Sequence, residues 1–272
     1  MPDAGNKFAL VLLDEAAKVP AEIYDELARL LGRVRYDVIG AFKRSPGLPF
    51  EDLDAGGAEA AARALAGCGV RAAAVPAGRL PAFPKVLTVH KAELPEGGGL
   101  SVQTDYVGTM REMPWEEIAG LSAATITESS APLGSAGPSV GRQVAGAAAR
   151  VAVGLTFGVP VISGRPRLAP KAPAPRVEVY GVLAVSAFGV PLEIRFREDM
   201  LNYEFLGGRK TAKAAQNFRV LAGELLHKAP RARASSAFRA LAETGAAAPA
   251  MDPHEFARHN RWLKLLAAEG LE

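Results

Sequence analysis

The apolar positions of the first third of the chain fall into short blocks with distinct periods. Phe8 to Leu13 reads FALVLL, a continuous apolar run of strand length. From Pro20 to Leu31 the apolar residues Ile23, Leu27, Leu30 and Leu31 stand at i, i+4, i+7 and i+8, one stripe of an amphipathic helix closed by Gly32. Tyr36 to Phe42 continues with a second helical pattern, carrying Val38, Ile39 and Phe42, until Ser45-Pro46-Gly47 breaks it. Leu48, Phe50 and Leu53 make a short edge strand. Ala58 to Ala66 is an Ala-rich helix ending at Gly67 and Gly69, and Val70 to Val75 is a strand stopped by Pro76. The predicted order is β-α-α-β-α-β.

Three prolines in residues 76 to 84 (PAGRLPAFP) mark a linker, after which the period changes. Lys85 to Leu94, Leu100 to Tyr106, Thr109 to Ile118 and Gly120 to Thr127 read as strands separated by Gly or Pro, and Arg176 to Ala187 and Val190 to Arg197 repeat the style around Phe188-Gly189. Short strands at this spacing predict an antiparallel sheet or small barrel. Thr211 to Leu226 puts Ala214, Ala215, Phe218, Leu221, Ala222 and Leu225 on one helical face, suited to capping such a barrel. Ala234 to Thr244 and Asp252 to Glu269 are helical, the latter opened by the N-cap and N1 pair Asp252-Pro253. In it Phe256, Leu263 and Leu266, with Trp262 nearby, form a stripe expected to pack on the barrel or on another copy. The expected organisation is α+β: a small domain over 1–80, a barrel over 81–230 with an insertion at about 131–175, and a helical tail over 231–272.

Composition sharpens this picture in one place. Of 272 residues 49% are hydrophobic and 22% charged, enough for a core without disulfides or metal, and 52 Ala against 7% aromatics makes that core one of small side chains. The single Cys68 can close no internal disulfide; it stands between Gly67 and Gly69, where a buried small hydrophobe is expected. The lack of a leader pattern and of an uncharged run of membrane-spanning length leads us to expect a soluble, cytoplasmic protein. The net charge of +3 hides an uneven distribution: residues 1–80 carry 10 basic and 11 acidic groups, 81–130 carry 3 and 7, 131–175 carry 5 and 0, and 176–272 carry 14 and 11. Only the acid-free stretch 131–175 is unusual. Its cations are Arg142, Arg150, Arg165, Arg167 and Lys171, its second half is Pro-rich, and Val151 to Ile162 is an apolar run too short to span a bilayer. A packed insertion, a weak membrane-surface contact and polyanion contact are its three readings. Nucleic-acid binding is not expected, because Phe157 is its only aromatic.

The order over residues 7 to 76, with a Gly between the last helix and last strand, resembles the C-terminal domain of the ribosomal stalk protein and the related ClpS-like adaptors. That resemblance implies a small docking module without catalysis. Where ClpS-like proteins carry an Asn-Asp pair after the first strand to hold a peptide amino terminus, this chain has Asp14-Glu15, which become candidate contact residues. Strands closed by one amphipathic helix over 85–227 resemble a pleckstrin-homology-like barrel. MPWEEI, GLSAATI and NYEFLGGR look like segments of bacterial proteins of unassigned activity. The turn Pro95-Glu96-Gly97-Gly98-Gly99 lacks the cations with which phosphoinositide-binding members hold a headgroup.

Reactive constellations are sparse. His254 and His259 are five apart, projecting about 140° from each other on a helix, whereas two ligands of one metal need an i, i+4 spacing. His90 and His227 have no acidic or Cys neighbour at ligand spacing. Residues 134 to 142 (GSAGPSVGR) miss the phosphate-loop pattern, with Ala136, Arg142 and Gln143 at its defining positions. Glu116-Glu117 and Glu198-Asp199 are adjacent and point apart, the wrong geometry for paired acids. Gly207, Gly208, Arg209 and Lys210, read as a helix start, form a weak anion-site candidate. No catalytic residue, metal ligand or cofactor is assigned. The expectation is a non-catalytic binding or scaffold protein, an adaptor acting through contacts with protein partners or as a homo-oligomer; an enzyme of unknown type and a peripheral membrane binder through 131–175 are the alternatives.

Overall fold

The computed structural model describes residues 7–130 and 176–271, apart from Ala16, Pro46, Glu96, Tyr106 and Val107. The N-terminal part runs β1 (Phe8–Leu12), α1 (Ile23–Leu30), α2 (Arg35–Arg44), β2 (Phe50–Leu53), α3 (Ala55–Gly67) and β3 (Ala72–Pro76), the order expected from its periodicity. The three strands form an antiparallel sheet with β1 central, in the order β2-β1-β3. β1 is apolar at every position because both of its faces are covered. Leu10 and Leu12 point to α1, α2 and α3, packing on Ile23, Leu27, Val38, Phe42 and Leu65. Ala9 and Val11 point the other way, to Trp262, Leu263, Leu265 and Leu266 of the C-terminal helix.

Beyond the linker come β4 (Lys85–Val89), β5 (Lys91–Glu93), β6 (Gly99–Gln103), β7 (Met110–Pro114), β8 (Ile118–Ser130), β9 (Arg176–Ala187) and β10 (Leu192–Arg197). Then follow α4 (Ala214–Lys228), β11 (Arg233–Ala234), α5 (Ser236–Thr244), β12 (Ala250–Met251) and α6 (Pro253–Glu269). The fold is α+β, but the expected closed, antiparallel barrel is not formed. Two open sheets stand in its place: one ordered β11-β8-β9-β10-β4, with β12 also on β8, and one ordered β5-β6-β7. The larger sheet is mixed, since β4 runs parallel to β10, and β11 and β12 run parallel to β8. Two features keep the sheets apart. Between β7 and β8 the chain takes a short 3-10 turn at Trp115–Glu117, preceded by Pro114, which has no amide hydrogen to give a ladder. The expected strand Lys85 to Leu94 breaks at His90, whose amide donates to Gln103 O of β6 while its carbonyl accepts from Asn202 N, so the chain changes sheets at that corner.

The inner faces of both sheets share one core, with Leu100, Val102, Ile118, Leu121, Leu183, Val185, Ile194 and Phe196 packed against Phe218, Leu221 and Leu225 of α4. α4 thus covers the core, although it begins at Ala214 and not at Thr211. Asn217 ties down its approach, accepting from Thr211 N at 2.7 Å and donating to Thr211 O at 2.9 Å. Cys68 is another correction: it is exposed, at the C-cap of α3 and past the last buried residue of that helix, Leu65. No helix among the described residues is long and apolar enough to cross a membrane.

α6 lies between the two parts. Its start is held by a capping box: Asp252 accepts from His254 N and Glu255 N at 2.7 and 2.8 Å, while Glu255 accepts from Asp252 N at 3.2 Å, and Pro253 occupies the first turn. One face of α6 closes the N-terminal sheet through Trp262 and its leucine neighbours. Toward the larger sheet, Phe256 packs on Ala124, Ile126, Val182 and Ala184, and Asn260 accepts a hydrogen bond from Ser122. Trp262 is 2% exposed and donates from Nε1 to Leu12 O at 2.7 Å, while Leu12 N donates to Gly47 O at 2.9 Å. A Cβ on Gly47 would fall 2.3 Å from the indole, so only Gly lets the α2–β2 loop pass under that ring. Removing the indole with Trp262→Ala should cost about 3–5 kcal/mol, and Gly47→Ala about 1–3 kcal/mol through overpacking. Urea denaturation reads both; a loss below about 0.5 kcal/mol in Gly47→Ala would contradict this packing.

Candidate functional site

A cleft of roughly 290 Å3 opens where the end of α2, the loop after β1, the start of α5 and the middle of α6 converge. Glu15, Lys43, Arg44, Ser45, Ser236, Glu255, His259 and Trp262 line it. Its parts arrive from distant stretches for local reasons. The apolar run of β1 ends at Asp14-Glu15, α2 ends in the basic pair Lys43-Arg44 where a cation offsets the helix carbonyls, and the capping box sets the phase that puts His259 and Trp262 one turn apart.

Glu15 lies at the centre of the polar side of the cleft. Its Oε2 accepts from the amide of Ser236 in the first turn of α5 at 2.6 Å, and its Oε1 stands 3.7 Å from His259 Nε2. The carboxylate therefore satisfies an otherwise unpaired helix-start amide, a place that favours negative charge. His259 has a side chain only 13% exposed, with its ring 5.4 Å from that of Trp262. Burial pushes its pKa below the ordinary histidine value, and the nearby Glu15 charge opposes this without reversing it. A neutral imidazole beside a carboxylate can take a proton from water or from a bound molecule. Among the described residues neither the Ser45 nor the Ser236 hydroxyl donates to His259.

The candidates singled out in the sequence are distributed as follows. Asp14 is partly exposed and paired: Arg71 holds it through two hydrogen bonds, and that guanidinium lowers its pKa. Glu15 lines the cleft, its carboxylate on the Ser236 amide. Arg209 pairs with Glu224 and Lys210 with Glu204. Gly207 and Gly208 belong to a 3-10 turn, Glu204–Arg209, and not to the start of α4, so the expected stack of free helix amides is not formed there. Arg142, Arg150, Arg165, Arg167 and Lys171 lie outside the described residues. Along α6 the two histidines separate as their spacing requires: His254 is exposed near Phe83, and His259 turns into the cleft. Among the described residues no group of three or more His, Cys, Asp or Glu side chains is placed to hold a metal ion.

Pattern reading passed over the cleft because its polar members come from residues 15, 43, 236 and 259, and no local spacing links them. The one signal was the Asp14-Glu15 pair directly after an apolar strand. No protein-family model, no curated protein and no solved structure matches the chain.

The buried His259 has a pH consequence. An unfolded histidine binds its proton near pH 6.5 and the folded one only at lower pH, so folding stability is complete above about 6.5 and falls as the pH drops from there toward the depressed folded value. His259→Leu should flatten this acid limb in urea titrations between pH 7 and 5, whereas an unchanged slope would show that His259 is not its source.

Proposed function

We propose that this chain is a non-catalytic binding protein, a scaffold or adaptor acting through protein–protein contacts. The observation that carries the reading is the α1–α2 corner. Tyr36, in the first turn of α2, is 82% exposed and Val34, its N-cap residue, 67%. The adjacent cations are neutralised within the chain, Arg33 by Asp52 and Arg35 by Asp25, each at 2.9 Å. An exposed aromatic and a β-branched residue beside paired charges have the makeup of an interface centre, where aromatics are enriched and free charge is depleted. In the polar cleft the Glu15 carboxylate is engaged in satisfying a helix start, a structural use that accords with this reading. The resemblance of residues 7 to 76 to small docking domains agrees with it. A second copy of the chain is one admissible partner.

A photo-crosslinking residue at position 36, tested in the native cell, should yield a discrete adduct that the same residue at Arg63, exposed on α3, does not. Light scattering on the purified protein then identifies or excludes self-association. Equal adduct patterns at the two positions, with a monomer in solution, would end the proposal. Tyr36→Ser should abolish the adduct trapped from a nearby position such as Val34, with unfolding changed by less than about 0.5 kcal/mol, as for an exposed site.

A further inference from the structure

A second cavity, of roughly 520 Å3, lies between β8, β9, the start of α4 and the end of α5. Its walls are mostly apolar, with Ala124, Val182, Phe218 and Leu241 among them, and it has two charged groups of interest, Glu198 and Lys213. Such a hollow with a few placed polar groups has the composition of a small-molecule site.

Glu198 is held in position by its backbone. Its amide donates to Gly181 O at 3.0 Å and its carbonyl accepts from the Tyr203 hydroxyl at 3.0 Å. A Cβ on Gly181 would stand 2.7 Å from Glu198 Oε2 and 3.4 Å from the Phe218 ring, so this glycine is what lets the carboxylate lie across the strand. The charges beside it are already matched: Arg197 binds Asp199 at 2.8 Å and stacks 3.6 Å over the Tyr180 ring. The Glu198 carboxylate itself has no hydrogen-bond or ion-pair partner among the described residues. Burial, with the Asp199 charge adding to it, raises the Glu198 pKa, so its ionised form gains from any cation brought beside it.

Lys213 is the N-cap residue of α4. Its carbonyl accepts from Gln216 N and Asn217 N, while its exposed ammonium has no partner among the described residues. Glu198 and Lys213 thus face one cavity without reaching ion-pair distance of each other. Arg219, the other cation on the wall, is tethered at the Gly245 end of the cavity, one of its donors held by Glu243 O at 2.6 Å. A simple anion drawn to Lys213 meets the Glu198 charge, and a simple cation drawn to Glu198 meets Lys213. A molecule with both charges satisfies both poles at once.

We propose that this cavity binds a small zwitterion with an apolar body, an amino acid or dipeptide with both termini free, its ammonium on Glu198 and its carboxylate on Lys213. The apolar side chain lies on Phe218, Val182 and Leu241. The site is independent of the protein-contact reading and stands or falls separately from it.

Calorimetric titration of the full chain with L-leucine and with L-leucyl-L-leucine tests it, and the better of the two probes sets the size of the occupant. Either one should bind with a Kd below about 1 mM. Acetylating the amino terminus, or amidating the carboxyl terminus, should weaken binding roughly tenfold or more, since each leaves one charged group unmatched. Glu198→Gln should weaken the free probe by a similar factor while leaving the acetylated one as it was. Lys213→Met should weaken the free probe but not the amide. Circular dichroism confirms that both variants are folded. Absence of binding by both free probes at about 10 mM, far above the expected Kd, overturns the proposal. Equal affinity of wild type and Glu198→Gln for the free probe overturns it as well.

Discussion

The contact of the Trp262 indole with the end of β1 holds the described architecture together, because a three-stranded sheet with helices on one side only would leave Ala9, Val11 and Val75 facing water. The indole covers them, its N–H takes the Leu12 carbonyl, and the Leu12 amide is taken by Gly47 from the loop that passes beneath the ring. A single side chain thereby satisfies the end of a central strand, closes a second core and fixes a loop. Loss of one of these takes the others with it, since a buried carbonyl without a donor and a cavity beside it add unfavourably.

Charge reinforces that contact along the same helix. Glu51 on edge strand β2 receives both Arg258 and Arg261 of α6, and Arg261 also donates to Pro81 O and lies 4.6 Å over the Phe83 ring. The linker that separates two blocks of sequence is thus fastened to the last helix. Arg233 adds a second tie, donating to Leu271 O at 2.7 Å. Toward the larger sheet, α6 uses Phe256 and the Ser122–Asn260 hydrogen bond. What reads as a tail is the element against which both sheets pack.

The arrangement accounts for the character of the two hollows. The cleft at Glu15 lies where four segments meet around α6, so its polar groups answer first to the needs of the junction: a helix-start amide, a largely buried imidazole and the indole beside it. The cavity at Glu198 lies between the larger sheet, the start of α4 and the end of α5, where backbone hydrogen bonds hold Glu198 and the neighbouring charges are already matched. There a charged group is left available, which is the physical difference between a polar cluster that closes a fold and one that can receive a ligand.

Local pattern determined a good deal about this chain. The β-α-α-β-α-β order, edge strand β2, the covering role of α4 and the capped start of α6 are all written within a few residues of each other, because apolar spacing and capping chemistry are short-range properties. The Asp252-Pro253 pair and the burial of Trp262 belong to this class. Tertiary structure alone decided which strands are neighbours: that β4 pairs in parallel with β10, that the two sheets remain open at Pro114 and His90, and that Cys68 faces water. It also decided that Glu15 meets Ser236 and His259, and that Glu198 shares a cavity with Lys213. Such meetings join residues far apart in the chain, and hydrophobic periodicity says which face of an element is buried without saying what buries it.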